Sequence, residues 1–503
     1  DDVDPNKLMR KGIDAMLNDL DPYTDFISEA DIEDYRFMTS GKYGGIGSLI
    51  ATRGEYVIVS EPYEGFPADR AGLKAGDIFL EIDGKSVKGK KTDDVSKVLK
   101  GQPGTKVKVL IKRPQADGSE KEMTFDLDRE EIKIKNVPYY GMVNDKTGYI
   151  VLSNFTENAG DEVRNALKEL KSKHKPESVI LDLRGNPGGL LHEAVNISNV
   201  FIDKNQEICT TKGKVEEWLK SFKTNNNAED TEIPLCVLVN GGSASASEIV
   251  SGSIQDLDRG VVVGTRTFGK GLVQSTRNLP YNTKLKVTTA KYYIPSGRCI
   301  QAINYAEKNA DGSVKKVPDS LKVSFKTKNG RIVYDGGGID PDAKVERPQL
   351  SKLAISLITK NFLFDYATKY YTTHPKIKPP REFSLSDEEF KDFVKFLEGK
   401  EYDYTTETED MLKKFKDKSS EEKYFEAIKG EFDALQAKLR HDKTHDIDKA
   451  KDEIKELLEN EIIVRYYYNK GRLEHNFKYD EEIQKALSIL SNKAEYQKLI
   501  TKK

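Results

Sequence analysis

Twice in this chain a short run of apolar residues ends in a glycine-rich turn and leads straight into a helical pattern. The first is "SVILDLRGNPGG" (178–189) followed by "LLHEAVNISNVF"; the second is "PLCVLV" (234–239) followed by "NGGSASASEIVSGSIQDL". Nearly uniform apolar strands of this kind are buried on both faces, and their alternation with helices predicts a sheet covered by helices. "RGVVVG", "KGLVQST" and "TKLKVTTAKYYIPSG" add further strands, so residues 131–344 read as one α/β section. At 503 residues the chain exceeds the roughly 250–300 that a single core holds, and several domains are expected.

The flanking segments differ in character. Residues 1–42 read as short helices: "LMRKGIDAML" places Leu8, Ile13, Met16 and Leu17 near one face, and "DPY" separates it from "SEADIEDYRFM". Residues 43–130 carry short β runs, a "DG" turn and the amphipathic helix "TDDVSKVLKG", with Val95, Val98 and Leu99 apolar. Residues 345–503 are charge-rich and mostly helical; Phe425, Ile428, Phe432, Leu435 and Leu439 follow the spacing of a packed seam.

Composition removes several classes of function. Lys+Arg at 81 against Asp+Glu at 83 leaves a net charge of -2, which gives no bulk attraction to nucleic acid or an anionic membrane. No stretch reaches the roughly 18 apolar residues of a membrane span. Cys209, Cys236 and Cys299 are too few and too scattered for a disulfide framework or a zinc cluster. "GTRTFGKG" falls short of a phosphate-binding loop because Gly271 stands where a magnesium-binding Ser or Thr is needed. The S-x-x-K pairs Ser172/Lys175 and Ser420/Lys423 lie in charged helical stretches with no S-D-N partner.

The serine cluster 243–247 has two compatible readings. Ser245-Ala-Ser-Glu248 fits a capping box, in which a serine oxygen and a glutamate satisfy free amides at a helix start. The same helix start concentrates N–H groups and positive potential where an oxyanion could form. A serine needs a base, and no histidine frames one here. Lys270, flanked by Phe268, Leu272 and Val273 and by two glycines, is the alternative. An amine in an apolar pocket sheds its proton more readily and can then deprotonate serine. Gln274, four residues on, is placed to hold that amine by a hydrogen bond.

"LDPYTDFIS", "SGKYGGIG", "AGLKAGDIFLEIDGKSV", "LDLRGNPGGLL", "SASASEI", "QDLDRGVVVGTRTFGKGLVQ", "YYIPSGRCIQ" and "GGIDPD" occur in that order over about residues 10–345. Together they resemble the carboxy-terminal processing peptidases, or tail-specific proteases, and the helical tail beyond 345 resembles that of their bacteroidete branch. The resemblance implies a multidomain α/β fold: a ClpP/crotonase-like α/β protease core (131–344) with an inserted β-rich PDZ domain (43–130), an N-terminal helical region (1–42) and a C-terminal helical domain (345–503). It implies Ser245 as nucleophile, Lys270 as general base and Gln274 as the residue orienting that base. It implies an oxyanion hole from the amides of Ala246 and Gly188, with Gly189 the alternative, and a structural role for Asp256. In the PDZ domain, Tyr43, Gly44, Gly45, Ile46 and Gly47 align with the loop that binds a peptide carboxylate.

The activity so implied is that of a serine endopeptidase acting on proteins or peptides with apolar C-terminal tails through a Ser-Lys dyad and an acyl-enzyme. It needs no metal, nucleotide or other cofactor, and a homo-oligomer is left open. Family members are usually exported, which implies a periplasmic or otherwise extracytoplasmic protein whose leader has been removed. The PDZ domain is implied to gate the active site, with Arg113 a candidate to pair with the protease core. The rival from another class is a PDZ-bearing binding or scaffold protein with an inactive or gated hydrolase core, which the complete Ser245/Lys270/Gln274 set disfavours. A small-molecule amidase or esterase is disfavoured by the PDZ domain.

Overall fold

The structure, a computed structural model, describes residues 4–308, 314–316, 319–346, 349–402, 404–405, 407–439 and 443–501. The first three and last two residues of the spans predicted above lie outside them. The chain forms two units. One gathers the described residues of Asp1–Gly44, Glu131–Glu346 and Phe477–Lys503; the other gathers Gly45–Glu130 and Arg347–Asn476.

In the first unit, strands Thr147–Val151, Ser178–Asp182, Leu235–Val239, Val261–Gly264 and Ala343–Lys344 run parallel in that order, with Tyr139–Met142 antiparallel at one edge. Strand side chains alternate between faces. Val179, Leu181, Leu235, Val237 and Val239 enter the core built with helices Ala159–Lys173, Leu191–Phe201 and Ala246–Asp256. Ile180, Cys236, Leu238, Val261 and Val263 enter a second core on the opposite face with Phe477, Ile483, Ala486, Ile489 and Tyr496. The helical span read as 345–503 therefore divides: its last two helices, Glu481–Ser491 and Lys493–Ile500, cover this sheet. A parallel sheet apolar on both faces requires that cover, and the chain end supplies it. A second sheet joins Asp25–Ile27, Thr283–Tyr293, Glu207–Gly213 and Lys220–Lys223, with Leu272–Leu279 paired to Thr283–Tyr293.

In the second unit, strands Ser48–Arg53, Tyr56–Pro62, Ile78–Ile82, Lys106–Pro114 and Glu120–Asp128 form an antiparallel sheet in that order, Ser48–Arg53 at its edge. The "DG" turn forms as predicted, with Asp83 and Gly84 at φ 48° and 73°. Helix Thr92–Leu99 buries Val95 and Leu99 in the domain core, whereas Val98 is 45% exposed. Arg113, the candidate to pair with the protease core, has its guanidinium engaged within its own domain, where it donates two bonds to Asp77, both 2.6 Å, and one to the Gly72 carbonyl. Helices Lys352–Thr359, Phe362–Thr373, Asp387–Phe396 and Lys451–Asn476 bury a separate core around Tyr366, Phe393, Ile454 and Ile462. Of the predicted seam at 425–439, Phe432 is buried and Leu435 lies open, because that helix packs chiefly on one neighbour, Glu407–Glu421. Among the described residues no helix is long and apolar enough to cross a membrane.

Candidate active site

Strands Ser178–Asp182 and Leu235–Val239 are parallel neighbours, so the turns that follow them emerge side by side at the carboxyl ends of the sheet. This is the position at which open α/β sheets place their sites. Hydrogen bonds lock the two turns together. The Ala244 amide and the Ser247 hydroxyl donate to the Asn186 carbonyl at 3.0 and 2.9 Å, and the Ser243 hydroxyl donates to the Leu183 carbonyl at 2.8 Å. Ser243 and Ser247 are thus structural, and both are fully buried.

Ser245 sits between them at φ 55°, ψ −113°, immediately before helix Ala246–Asp256. A non-glycine residue held there costs on the order of 1–3 kcal/mol, the kind of strain that concentrates at functional sites. The tight approach of Gly188 leaves the turn little choice. A β-carbon on Gly188, itself at φ 95°, would lie 2.7 Å from the Ala244 oxygen and 2.9 Å from the Ser245 Cβ.

Ser245, Ala246, Gly188, Gly189, Lys270 and Gln274 line one open cleft of about 770 Å³. Lys270 lies in the loop that leads into strand Leu272–Leu279, so "GTRTFGKG" is followed by a strand, as read from the sequence. Its Nζ rests 4.2 Å from the centroid of the Tyr23 ring, supplied by "LDPYTDF". Burial lowers the Lys270 pKa from that of an ordinary lysine. Lys286 lowers it further, while Glu248 and Asp21 act in the opposite sense. The Tyr292 hydroxyl donates to the Lys270 carbonyl, and Tyr292 lines the same cleft as Ser245.

Two residues take partners other than those read from sequence. The Gln274 amide donates to Thr288 Oγ1 at 3.3 Å, across a register shift between Val273 and Gln274 that re-aims the side chain. The Gly188 amide is engaged, donating to Asn186 Oδ1 at 2.9 Å. Among the described residues the amides of Ala246 and Gly189 have no acceptor, so the alternative glycine is the one with a donor to offer.

Glu248 was legible only as half of a capping box. That half forms, with the Ser245 amide donating to Oε2 at 2.8 Å. The same carboxylate also receives the Lys270 amide at 2.9 Å, the Gly269 amide at 2.7 Å and the Thr267 hydroxyl at 2.5 Å. Burial pushes its pKa up and these donors pull it back down. One buried carboxylate therefore ties the backbone of the serine turn to that of the lysine loop. Tyr23 and Tyr292 lie in the motifs "LDPYTDFIS" and "YYIPSGRCIQ", but their proximity to the lysine and serine carries no local signal, because it joins distant parts of the chain. Asp256 is buried against Arg298 and the Ser296 amide, and serves the fold.

Tyr43 and Gly44, the last residues of the first unit, and Gly45, the first of the second, lie on the short strand Lys42–Gly45, and Ile46 and Gly47 form the turn into Ser48–Arg53. The amides of Ile46 and Gly47 have no acceptor among the described residues. The Tyr43 ring packs edge-on against Phe37, with centroids 5.3 Å apart. Ile46, Val95 and Leu99 are buried in the domain core, with Ile50 of Ser48–Arg53 packed against it.

Known proteins match along most of the chain. Residues 146–307 match peptidase family S41, 58–113 match the PDZ domain, and 353–490 match the family described as "Probable PDZ-protease, C-terminal helical domain". A carboxy-terminal-processing protease of Bartonella bacilliformis is 38% identical over 303 residues, covering 60% of this chain and 68% of that protein. A "Probable CtpA-like serine protease" of Staphylococcus aureus strain N315 is 34% identical over 370 residues, covering 72% of this chain and 71% of its own. Among solved structures, the photosystem II D1 C-terminal processing protease is 28% identical, covering 69% of this chain and 83% of that one at a TM-score of 0.38. The chain belongs to the carboxy-terminal-processing serine peptidases of family S41.

Proposed function

We propose that Ser245 is the nucleophile and Lys270 the general base of this peptidase, and that it selects substrates by an apolar C-terminal tail bound along Ser48–Arg53. The observation that carries the dyad is the shared cleft. A strained serine at a helix start and an amine whose charged form is disfavoured by burial line it together. The neutral amine takes the Ser245 Oγ proton as the oxygen attacks the peptide carbonyl carbon. The amides of Ala246 and Gly189 then donate to the oxyanion. The lysine ammonium protonates the departing amine, and water, deprotonated by the same lysine, hydrolyses the acyl-enzyme.

The pH dependence follows from the sign of the Lys270 shift. The base acts only when neutral, so kcat/KM rises with pH through the lowered lysine pKa and then levels off, at lower pH than an ordinary lysine would require. A serine-directed fluorophosphonate probe reads the same profile as a labelling rate. A rate flat from acid to alkaline pH would rule out a lysine base.

The tail reading rests on an open strand edge and two unengaged amides. An extended peptide adds a strand to such an edge while backbone amides receive its carboxylate. Charge-assisted hydrogen bonds to that carboxylate are about twice as strong as neutral ones, so amidating the C-terminus of a tailed substrate raises KM at least ~10-fold. Equal KM values for acid and amide would remove the tail from the account.

A further inference from the structure

The strand and turn proposed to take the tail are anchored at both ends by the helical part of their own unit. At the turn, the Ile46 carbonyl accepts from the Ala68 amide at 2.8 Å and the Gly47 carbonyl from the Tyr63 amide at 2.9 Å. The backing loop 63–69 is closed by Asp69, whose Oδ2 accepts the Gly65 amide at 2.8 Å. The other oxygen of Asp69 accepts the Tyr468 hydroxyl at 2.8 Å. Tyr468 lies 399 positions away in sequence, on helix Lys451–Asn476. One residue group further, Lys470 pairs with Glu64 of the same loop at 2.9 Å. At the far end of the strand, Arg53 pairs with Asp365 of helix Phe362–Thr373.

Tyr468 also breaks its own helix. Its backbone sits at φ 54°, ψ −167°, inside an otherwise helical run from Lys451 to Asn476. That conformation belongs almost only to glycine, and a tyrosine is held in it only where the surroundings over-determine it. The kink delivers the phenol to Asp69. A continuous helix would present residue 468 with a different direction, and a glycine, the easier residue for this backbone, would carry no hydroxyl.

Resting on the tail-binding reading above, we infer that Tyr468 is a positioning residue for substrate recognition: through Asp69 and loop 63–69 it sets the Ile46–Gly47 turn for the tail carboxylate. The helical segment thereby acts on KM for tailed substrates and leaves the chemical step alone. Arg53–Asp365 does the same for the strand's far end, where the body of the tail lies.

The test uses the full chain with two fluorogenic peptides, one ending in an apolar residue with a free carboxylate and one its C-terminal amide. Tyr468→Phe keeps the ring and its packing and deletes only the hydroxyl. Removing a hydrogen bond to a carboxylate that orders a binding loop raises KM for the free acid about tenfold, with kcat unchanged. KM for the amide stays where it was, and the thermal midpoint moves by a few degrees at most. Asp365→Asn raises KM for both peptides, since both use the strand. Unchanged KM for the free acid in Tyr468→Phe overturns the inference. Equal losses with acid and amide overturn it as well, because they mark a general structural role. If the wild-type enzyme treats acid and amide alike, the tail reading itself has failed, and that result is visible before any variant is made.

Discussion

Ser245→Ala lowers turnover of a tailed substrate by about 10⁶-fold, the loss found when a serine protease is deprived of its nucleophile. Lys270→Ala falls nearly as far, and the double variant no further, because a nucleophile and its base act as one unit. Lys270→Arg is the sharper test of mechanism. It keeps a long cationic side chain over the Tyr23 ring, yet a guanidinium is never deprotonated in a protein and accepts no proton from Ser245. It is expected to be as inactive as the alanine variant. The controls lie in the same turn: Ser243 and Ser247 donate their hydroxyls to backbone carbonyls of Leu183 and Asn186. Alanine at either leaves a buried carbonyl short of a donor, at about 1–3 kcal/mol of stability, with an active enzyme remaining. Single-turnover rates and urea midpoints separate the two patterns. Undiminished cleavage by Ser245→Ala would end the assignment.

Glu248→Ala is expected to cost both stability and activity. The carboxylate is fully buried and receives three backbone amides and one hydroxyl. An alanine leaves those four donors without an acceptor, and with relaxation the loss is about 3 kcal/mol or more. The rate falls by at least about 100-fold, since a misplacement of 1 Å costs that much when the reacting groups are held by orientation. Glu248→Gln separates charge from shape. The glutamine oxygen still serves two donors, whereas its NH₂ faces the other two, so half of the network turns repulsive. It should be intermediate in urea midpoint and closer to alanine in rate. Because Glu248 favours the charged form of Lys270, its loss also moves the alkaline rise in kcat/KM to lower pH. An alanine variant with wild-type midpoint and rate would show that the carboxylate ties nothing together.

The sequence carried a great deal of this molecule where local pattern and burial agree. The two apolar strands with glycine turns sit side by side in the sheet, the "DG" turn has its positive φ values, and Ser245 begins a helix with Glu248 on its amide. Each of these is decided within about ten residues, by side-chain period, by the φ a residue tolerates or by the spacing of a cap. Gln274 shows where such reasoning stops. Four residues from Lys270, it belongs to a strand whose bulge turns its amide onto Thr288, and the cross-strand partner sets that bulge. Gly188 and Gly189 are interchangeable as letters. Only the fold, by engaging one amide with Asn186 and leaving the other open, tells them apart.

The amino-acid order alone thus pointed to the protein's class and singled out the serine and the lysine proposed for its site, because those readings depend on residue type and short spacing. The packed chain decided what surrounds them: a carboxylate shared by two loops, a tyrosine from residue 292 beside the serine, another from residue 23 under the amine, and the chain end covering the sheet. These are contacts between segments tens to hundreds of residues apart, selected by the need to satisfy buried polar groups and cover apolar faces, and no local pattern encodes them.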